Sequence, residues 1–177
     1  FSALGIMTGT SIDGVDLSII KSDGVNEFEP ILDDYFEFNK NIQKKTEKLR
    51  DELSNIDDLD RYSKDLNELE REITIFIGEC INRFIEKNDQ EIDLIGFHGQ
   101  TVFHDSNKKT SLQLGNGSLL SSITKKVVIN NFRQKDLLNG GQGAPLTPIY
   151  HKLVSTIINR KYKMEFPINI VNIGGIT

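Results

Sequence analysis

Apolar and polar positions alternate along the first part of the chain in a pattern typical of β-strands. The apolar segments 4–7 and 15–20 flank a loop of small residues, which predicts an antiparallel hairpin. Segment 28–39, FEPILDDYFEFN, mixes aromatic and β-branched residues with carboxylates, and it predicts a third strand at a sheet edge. The highly charged segment 40–60 has widely spaced apolar residues and predicts an exposed helix.

Between residues 62 and 85, apolar side chains recur at three- and four-residue steps, the spacing of one face of a long amphipathic helix. Cys80 lies on this face, so we expect a buried structural thiol rather than a reactive one. A homodimer could use this apolar face, although burial in the core explains it equally well. The residues of the face are Tyr62, Leu66, Leu69, Ile73, Phe76, Ile77, Cys80, Ile81, Phe84 and Ile85.

Strand patterns return at segments 92–99, 110–116, 126–132 and 168–175. Helical patterns lie between them, at about residues 119–124 and 148–159. The interiors of the strands are nearly all apolar, which indicates an α/β fold with a sheet covered on both faces. In such sheets ligands bind at the loops that follow the carboxyl ends of the strands.

Composition and charge exclude several classes of function. The 177 residues carry a net charge of −5, so no basic face is expected to bind nucleic acid or an anionic membrane. No apolar run approaches the roughly 20 residues of a membrane span. The single cysteine allows no internal disulfide and favours a reducing cytoplasm. Because the chain begins at Phe1 and stops just after an apolar strand, we expect the N-terminal part of a longer protein.

The loop TGTSIDG, residues 8–14, carries the first candidate chemistry. Gly9 and Gly14 let backbone amides approach a ligand, and Thr10 and Ser11 add hydroxyl donors, so the loop suits phosphate oxygens. It is not a Walker A loop, because no Gly-Lys-Ser/Thr follows. The carboxylates of this region, Asp13 and Asp16, would repel a bare phosphate, but a Mg²⁺ ion between them would remove that conflict. An ordinary hairpin turn at Asp-Gly is the alternative.

A second group of polar residues follows the strand in segment 92–99. His98, Gln100 and Thr101 stand at its carboxyl end, where polar side chains are either satisfied internally or face a ligand. Gln100 and Thr101 suit sugar hydroxyls. A metal site made by His98 and His104 is disfavoured, since no third ligand is in sight, and His104 could simply anchor the turn.

The third group is the stretch NNFRQKDLLNGGQGAPLTP, residues 130–148, which begins where a strand ends. It places Arg133 and Asp136 at the edge of the predicted cleft, followed by a glycine-rich turn. Asp136 could act as a general base or as the N-terminal cap of a helix. The last residues, NIGGIT, predict a second strand followed by a glycine turn with Gly174 and Gly175.

Taken together, these motifs resemble the anhydro-N-acetylmuramic acid kinase family of the acetate and sugar kinase, Hsp70 and actin superfamily. The family carries GxMSGTSxDGxD, here GIMTGTSIDGVD, and HGQTxxH, here residues 98–104. It also carries QxGN, here residues 113–116, and NIGGI, here residues 172–176. The longest block, DFRxxDxxxGGQGAPLxP, corresponds to residues 131–148, and the matches occur in family order along nearly the whole chain.

The resemblance implies an actin-like (ribonuclease H-like) mixed sheet with flanking helices, the N-terminal lobe of a two-lobe kinase. Residues 1–165 would form this lobe, and residues 166–177 would begin the second. It also implies the reaction: ATP phosphorylates O6 of 1,6-anhydro-N-acetylmuramic acid while water opens the anhydro ring. The products would be ADP and N-acetylmuramic acid 6-phosphate, in cell-wall recycling in the cytoplasm, and the present part alone would be inactive.

The resemblance also implies roles for individual residues. Asp136 would be the catalytic base, Mg²⁺ would accompany ATP near Asp13 or Asp16, and a homodimer would be plausible. The residues that would bind sugar or transferred charge are His98, Gln100, Thr101 and Arg133. Those that would bind ATP phosphates are Gly9, Thr10, Ser11, Ile12, Asp13, Gly14, Val15, Asp16, Gly174 and Gly175.

Three positions depart from the family pattern. Thr8 replaces a serine and keeps its hydroxyl, Asn131 replaces an aspartate that would compete with Asp136 for the role of base, and Asp105 stands where a proline is usual. Two alternatives stay open: another sugar or acetate kinase of the superfamily, and a nucleotide-binding module without turnover. Phosphorylation of an ordinary hexose or acetate would favour the former.

Overall fold

The structure is a computed structural model and describes residues 1–171. Its first three strands are β1 (Ser2–Met7), β2 (Gly14–Ser22) and β3 (Phe28–Glu37). They pair antiparallel in sequence order, with an irregularity in the β2–β3 register at Ile19/Ile20. The predicted hairpin and the predicted third strand at the sheet edge are both confirmed.

Two further strands extend the sheet on the other side of β1. β4 (Leu94–Phe97) pairs parallel with β1, and β7 (Val127–Asn130) pairs parallel with β4, which gives the order β3-β2-β1-β4-β7. Ile6, Phe97 and Asn130 lie side by side in this register. The loops that follow the three parallel strands therefore leave the sheet at one edge, as the sequence predicts. The mixed sheet with flanking helices confirms the α/β class and is consistent with an actin-like N-terminal lobe.

The charged segment after β3 forms two helices instead of one. α1 (Lys40–Glu52) begins where the side chain of Asn39 accepts hydrogen bonds from two backbone amides, and α2 covers Asp57–Arg61. Between them the carboxylate of Asp58 accepts from the amides of residues 54 and 55, which stabilises the break. α1 is also less exposed than predicted, because its apolar residues Ile42 and Leu49 are buried, as is Thr46.

The long helix α3 (Ser63–Asn88) confirms the strongest periodic signal of the sequence. Its apolar face packs on the core, where Ile73, Ile77 and Ile81 are completely buried. Tyr62, Phe76 and Ile85 of the same face are partly buried against that core. Cys80 is completely buried, and this burial raises the pKa of its thiol. The predicted structural role of Cys80 is confirmed.

The segment expected to be a loop after β4 is a strand. β5 (Gln100–Asp105) pairs antiparallel with β6 (Thr110–Leu114) in a separate two-stranded sheet. The three remaining helices are α4 (Gly117–Thr124), α5 (Phe132–Leu138) and α6 (Pro148–Tyr162). α5 was not predicted, and α4 and α6 each extend slightly beyond the predicted helices.

Among residues 1–171, helices cover only one face of the sheet well. Leu4, Ile6 and Phe97 on that face share one core with α1 and α3. On the opposite face Met7 is 49% exposed, Val127 is 64% exposed and Ile129 is 47% exposed. The prediction of two covered faces is therefore wrong for the described part of the chain.

The predicted strand at residues 168–175 falls partly outside the described residues. Residues 168–171 have no regular secondary structure and pair with none of the strands above. The proposed boundary at residue 165 stays a prediction. No helix among residues 1–171 has both the length and the apolar character needed to cross a membrane.

Candidate active site

The loop between β1 and β2 is anchored by two buried apolar side chains, Ile12 and Val15. Ile12 has a left-handed backbone conformation with φ of 58°, which is unfavourable for a β-branched residue and is maintained by the packing of its side chain. Thr10 and Ser11, at the tip, are exposed. Of the predicted phosphate-binding residues, Ile12 and Val15 can therefore offer only backbone atoms, whereas Thr10 presents its hydroxyl. The exposed Ser11 hydroxyl donates to Asp13.

Asp13 is held inside this loop by short hydrogen bonds. Its Oδ1 accepts from the Ser11 hydroxyl over 2.6 Å and from the Gly14 amide over 3.1 Å. The Ser11 bond, more than any other effect, lowers the pKa of Asp13. Asp16 differs, because partial burial and then the charge of Asp13 raise its pKa. Two carboxylates therefore stand close enough to interact, which is an arrangement that a cation would stabilise.

Two buried side chains tie this loop to the loop that follows β4. The Thr8 hydroxyl donates to the Gly99 carbonyl over 3.0 Å, and Nε2 of Gln100 donates to the Gly9 carbonyl over 3.0 Å. Gln100 is completely buried, and its Oε1 has no hydrogen-bond partner among the described residues. Gln100 thus lies behind the loop, and this placement does not support the sugar contact that the sequence predicts for it.

His98 joins the β4 loop to α5. Its Nδ1 lies 2.7 Å from the Gly99 carbonyl, and its Nε2 lies 2.9 Å from Nε of Arg133. Since Arg133 can only donate, Nε2 must accept, and the ring proton must then be on Nδ1 and point to Gly99. Burial, together with the charge of Arg133, lowers the pKa of His98, while the bond to Gly99 opposes that shift. The imidazole is therefore neutral.

Asp136 lies in the last turn of α5, so the alternative of an N-terminal cap is wrong; Asn131 occupies that position. Oδ2 of Asp136 accepts from the Gly143 amide over 2.7 Å, and Nη1 of Arg133 donates to the Gly143 carbonyl over 2.6 Å. The carboxylate is otherwise exposed. One carboxylate oxygen is thus fixed by the glycine-rich turn while the side chain remains accessible.

These contacts form a continuous hydrogen-bonded path across the three loops. It runs from Thr8 through Gly99 to His98, and from there through Arg133 and Gly143 to Asp136. The residues predicted to bind phosphate and the predicted base therefore belong to one connected edge of the sheet.

A polar cavity of about 320 Å³ lies beside this path, within the size range of roughly 300–1,000 Å³ seen for ligand pockets. His98 lines it, whereas Gln100, Thr101 and Arg133 do not. Thr101 instead accepts a hydrogen bond from Gln113 over 3.3 Å. The sequence did not assign several polar residues that line the cavity: Ser111, Gln113, Asn130 and Gln134. Of these, Gln113 belongs to the QxGN motif.

A larger cavity, of about 970 Å³, lies at the other end of β1, next to Phe1 and α6, and contains none of the predicted site residues. Gly174 and Gly175 lie outside the described residues. Within residues 1–171 no three His, Cys, Asp or Glu side chains are grouped as a metal site would need. His104 contacts Ser111, 3.0 Å away, on the β5–β6 hairpin.

Known proteins match the chain over nearly its whole length. A family model described as "Anhydro-N-acetylmuramic acid kinase" matches residues 2–177. The sequence is 49% identical over 176 residues to the anhydro-N-acetylmuramic acid kinase of Pelagibacter ubique (strain HTCC1062), covering 99% of this chain and 46% of that relative. It is 35% identical over 179 residues to the enzyme of that name from Agrobacterium fabrum (strain C58 / ATCC 33970), covering 99% and 48%. The chain spans about half the length of the curated relatives it matches.

Proposed function

The chain belongs to the anhydro-N-acetylmuramic acid kinase family, and from that membership we propose that its full-length protein uses ATP to phosphorylate O6 of 1,6-anhydro-N-acetylmuramic acid. Water opens the anhydro ring in the same reaction, and the products are ADP and N-acetylmuramic acid 6-phosphate. The observation that carries the proposal is the family match over residues 2–177. The hydrogen-bonded path between the opening loop and Asp136 supports it.

Asp136 acts as the general base in this proposal. Water attacks C1 of the sugar and loses a proton to the Asp136 carboxylate, while the C1–O6 bond breaks and its electron pair stays on O6. O6 then takes the γ-phosphoryl group, and ADP leaves. The bond from the Gly143 amide to Oδ2 supports this role, because it orients the carboxylate and leaves the side chain accessible.

The opening loop binds the ATP phosphates. Thr10 supplies a hydroxyl at its tip, and the backbone of Gly9, Thr10 and Ser11 supplies amides. The amides of Ile12 and Gly14 already donate to the Gly9 carbonyl and to Asp13, and Val15 and Asp16 belong to the sheet. Asp13 and Asp16 fit a Mg²⁺ ion that takes most of its ligands from phosphate and water, because Mg²⁺ sites commonly use only one or two carboxylates. The ion would neutralise phosphate charge next to these carboxylates. Gly174 and Gly175, which lie outside the described residues, are proposed to bind phosphate as well.

The sugar lies at the cavity beside β6 and β7. Gln113, which lines the cavity, contacts the sugar hydroxyls, and Thr101, which does not line it, positions the Gln113 side chain by accepting its hydrogen bond. Arg133 stabilises the transferred charge, since phosphoryl transfer depends mainly on positioning and electrostatics. The dependence on ATP and the single cysteine favour a cytoplasmic enzyme. A homodimer stays part of the proposal.

One assay tests the proposal. Full-length protein is incubated with ATP, Mg²⁺ and 1,6-anhydro-N-acetylmuramic acid, and the products are identified by mass spectrometry and NMR. The 6-phosphate of the opened sugar, with one ADP per sugar, is the expected result. Turnover of an ordinary hexose or acetate in its place would contradict the proposal, and so would the absence of any turnover. In H₂¹⁸O, the label is expected at C1 of the product.

A further inference from the structure

We propose that His98 is a positioning residue: its neutral imidazole fixes Arg133, and through the Gly143 turn it fixes the Asp136 carboxylate relative to the phosphate loop. This inference rests on the proposed function. It replaces the direct sugar contact that the sequence predicts for His98 with a positioning role. One contact of the ring is to the carbonyl of the next residue, Gly99, and the other joins the β4 loop to Arg133 on α5.

The hydrogen-bonding capacity of the His98 ring is fully used by its two protein contacts. A neutral imidazole has one donor and one acceptor. In His98 the donor is used by the Gly99 carbonyl and the acceptor by Arg133. Although His98 lines the cavity, it has no polar atom left for a sugar hydroxyl.

Arg133 links His98 to the turn that contains Gly143. Its Nε is held by His98 and its Nη1 by the Gly143 carbonyl. Nη2 makes no hydrogen bond within residues 1–171, so it is free for a charged ligand. The Gly143 residue bonded to Arg133 also donates its amide to Asp136. A change at His98 therefore displaces a cationic group and the base together.

The surroundings of the His98 ring favour its neutral form. The charged side chain that faces His98 is Arg133, from α5. The other described residues that line the cavity, from β4, β6, β7 and the segments that follow them, are uncharged: Phe97, Ser111, Leu112, Gln113, Gly115, Asn130, Asn131 and Gln134. Protonation at Nε2 would set two donors and two positive charges against each other, and Arg133 would have to move away.

Two substitutions of similar size separate the two ring contacts. His98→Gln keeps an acceptor near the position of Nε2 for Arg133, whereas His98→Asn keeps a polar group near Nδ1 and loses that acceptor. In the full-length enzyme we expect His98→Asn to lower kcat by about 10²-fold with little change in KM for the sugar. We expect the decrease in kcat of His98→Gln to be about tenfold smaller than that of His98→Asn. His151→Gln, on α6, is the histidine control, and thermal unfolding checks that all variants fold.

If His98 instead binds the sugar, both variants raise KM for the sugar to a similar extent, and the inference is wrong. The pH profile gives a second readout. The parent enzyme should lose activity as the pH falls through the pKa of His98, below its ordinary value of 6.5, and His98→Gln should lack that step.

A spectroscopic measurement decides the inference even if the proposed reaction fails. ¹⁵N–¹H NMR of full-length protein with ¹⁵N-labelled histidine reports the tautomer of each ring, and His98→Gln identifies the signal. The expected result is a neutral ring protonated on Nδ1, with Nε2 protonating below pH 6.5. An Nε2–H tautomer, or a ring that is protonated at neutral pH, overturns the inference.

Discussion

Gly141 lies so close to the carboxylate of Asp136 that a Cβ atom at position 141 would come within 3.0 Å of Cγ and both oxygens of that carboxylate. The same turn donates the Gly143 amide to Oδ2 over 2.7 Å. Glycine is therefore required at position 141, because any side chain there would collide with the carboxylate of the proposed base.

Gly141→Ala in the full-length enzyme tests this contact. The new methyl group has to displace the carboxylate, so we expect kcat to fall by about 10²-fold, as a displacement of roughly 1 Å at a reacting group does. The unfolding temperature should fall only slightly, because the displaced carboxylate loses its bond to the Gly143 amide but is exposed and can rotate into solvent. Steady-state kinetics and thermal unfolding measure the two effects.

Gly140→Ala is the control in the same turn. Gly140 has φ of +90°, and a Cβ atom there would meet nothing within 4 Å. A side chain therefore strains the backbone by about 1–3 kcal/mol without touching Asp136. Stability should fall more than in Gly141→Ala, and kcat should fall less. An equal loss of kcat in both variants would show that strain in the turn, and not contact with Asp136, is responsible.

Asp136→Asn separates the proton-accepting role of Asp136 from its structural role. The amide oxygen of Asn can still accept from the Gly143 amide, but it cannot act as a base. We expect kcat to fall by about 10² or more, which is the typical contribution of a general base. Asp136→Ala, which also loses the bond to Gly143, should have a lower unfolding temperature than Asp136→Asn. Activity of Asp136→Asn within about tenfold of the parent would remove the proposed role of base.

The sequence predicts the edge of the sheet where the site lies, because that prediction depends on strand order and direction alone. Apolar strands followed by small or polar residues mark the ends of β1, β4 and β7, and parallel pairing brings those ends together. The family motifs lie at those ends. The sequence alone therefore assigns the first glycine loop, the Gln100 and Thr101 segment and the Arg133 and Asp136 segment to one region.

The local structure within that region could not be predicted in the same way. Gln100 and Thr101 belong to a strand that, within residues 1–171, pairs with its own hairpin partner alone, and their pattern is too short to separate from a loop. α5 has only seven residues, and its N-cap residue Asn131 has φ of 59° and makes no side-chain capping hydrogen bond. Without a cap signal, the position of Asp136 inside that helix depends on tertiary contacts with the following turn.

Gln100→Met tests whether the buried amide supports the phosphate loop. The substitution removes the 3.0 Å bond to the Gly9 carbonyl, and it also removes Oε1, which has no partner within residues 1–171. The two effects oppose each other, so the free energy of unfolding should change by only about 1 kcal/mol. The loosened loop should raise KM for ATP, by about tenfold, and leave KM for the sugar nearly unchanged.

Gln113→Met is the matched control on the sugar side. Its side chain lines the cavity and donates to Thr101, so it should raise KM for the sugar and not for ATP. Kinetics with each substrate varied in turn distinguish the two variants. If Gln100→Met changes only KM for the sugar, its side chain contacts the substrate as the sequence predicts, and the loop-supporting role is wrong.

Asp13 and Asp16 should respond to pH with opposite signs. The pKa of Asp13 is lowered, chiefly by the Ser11 hydroxyl, so its ionised form stabilises the fold. That stability is present above pH 3.8 and is lost as the pH falls through the lower pKa of the folded state. The pKa of Asp16 is raised, chiefly by burial and then by Asp13, so ionised Asp16 opposes folding. This penalty is complete above its folded-state pKa and disappears below pH 3.8.

Asp13→Asn and Asp16→Asn therefore form an informative pair. At pH 7 we expect Asp13→Asn to lower the unfolding temperature of the full-length protein and Asp16→Asn to raise it. The gain from Asp16→Asn should shrink as the pH is lowered towards 4, because the parent carboxyl then becomes neutral as well. Relative to the parent, both variants should gain less affinity for ATP when Mg²⁺ is added, as isothermal titration calorimetry can measure. Unchanged Mg²⁺-dependent binding in both would exclude these two carboxylates as the site of the metal ion, whatever their effects on stability.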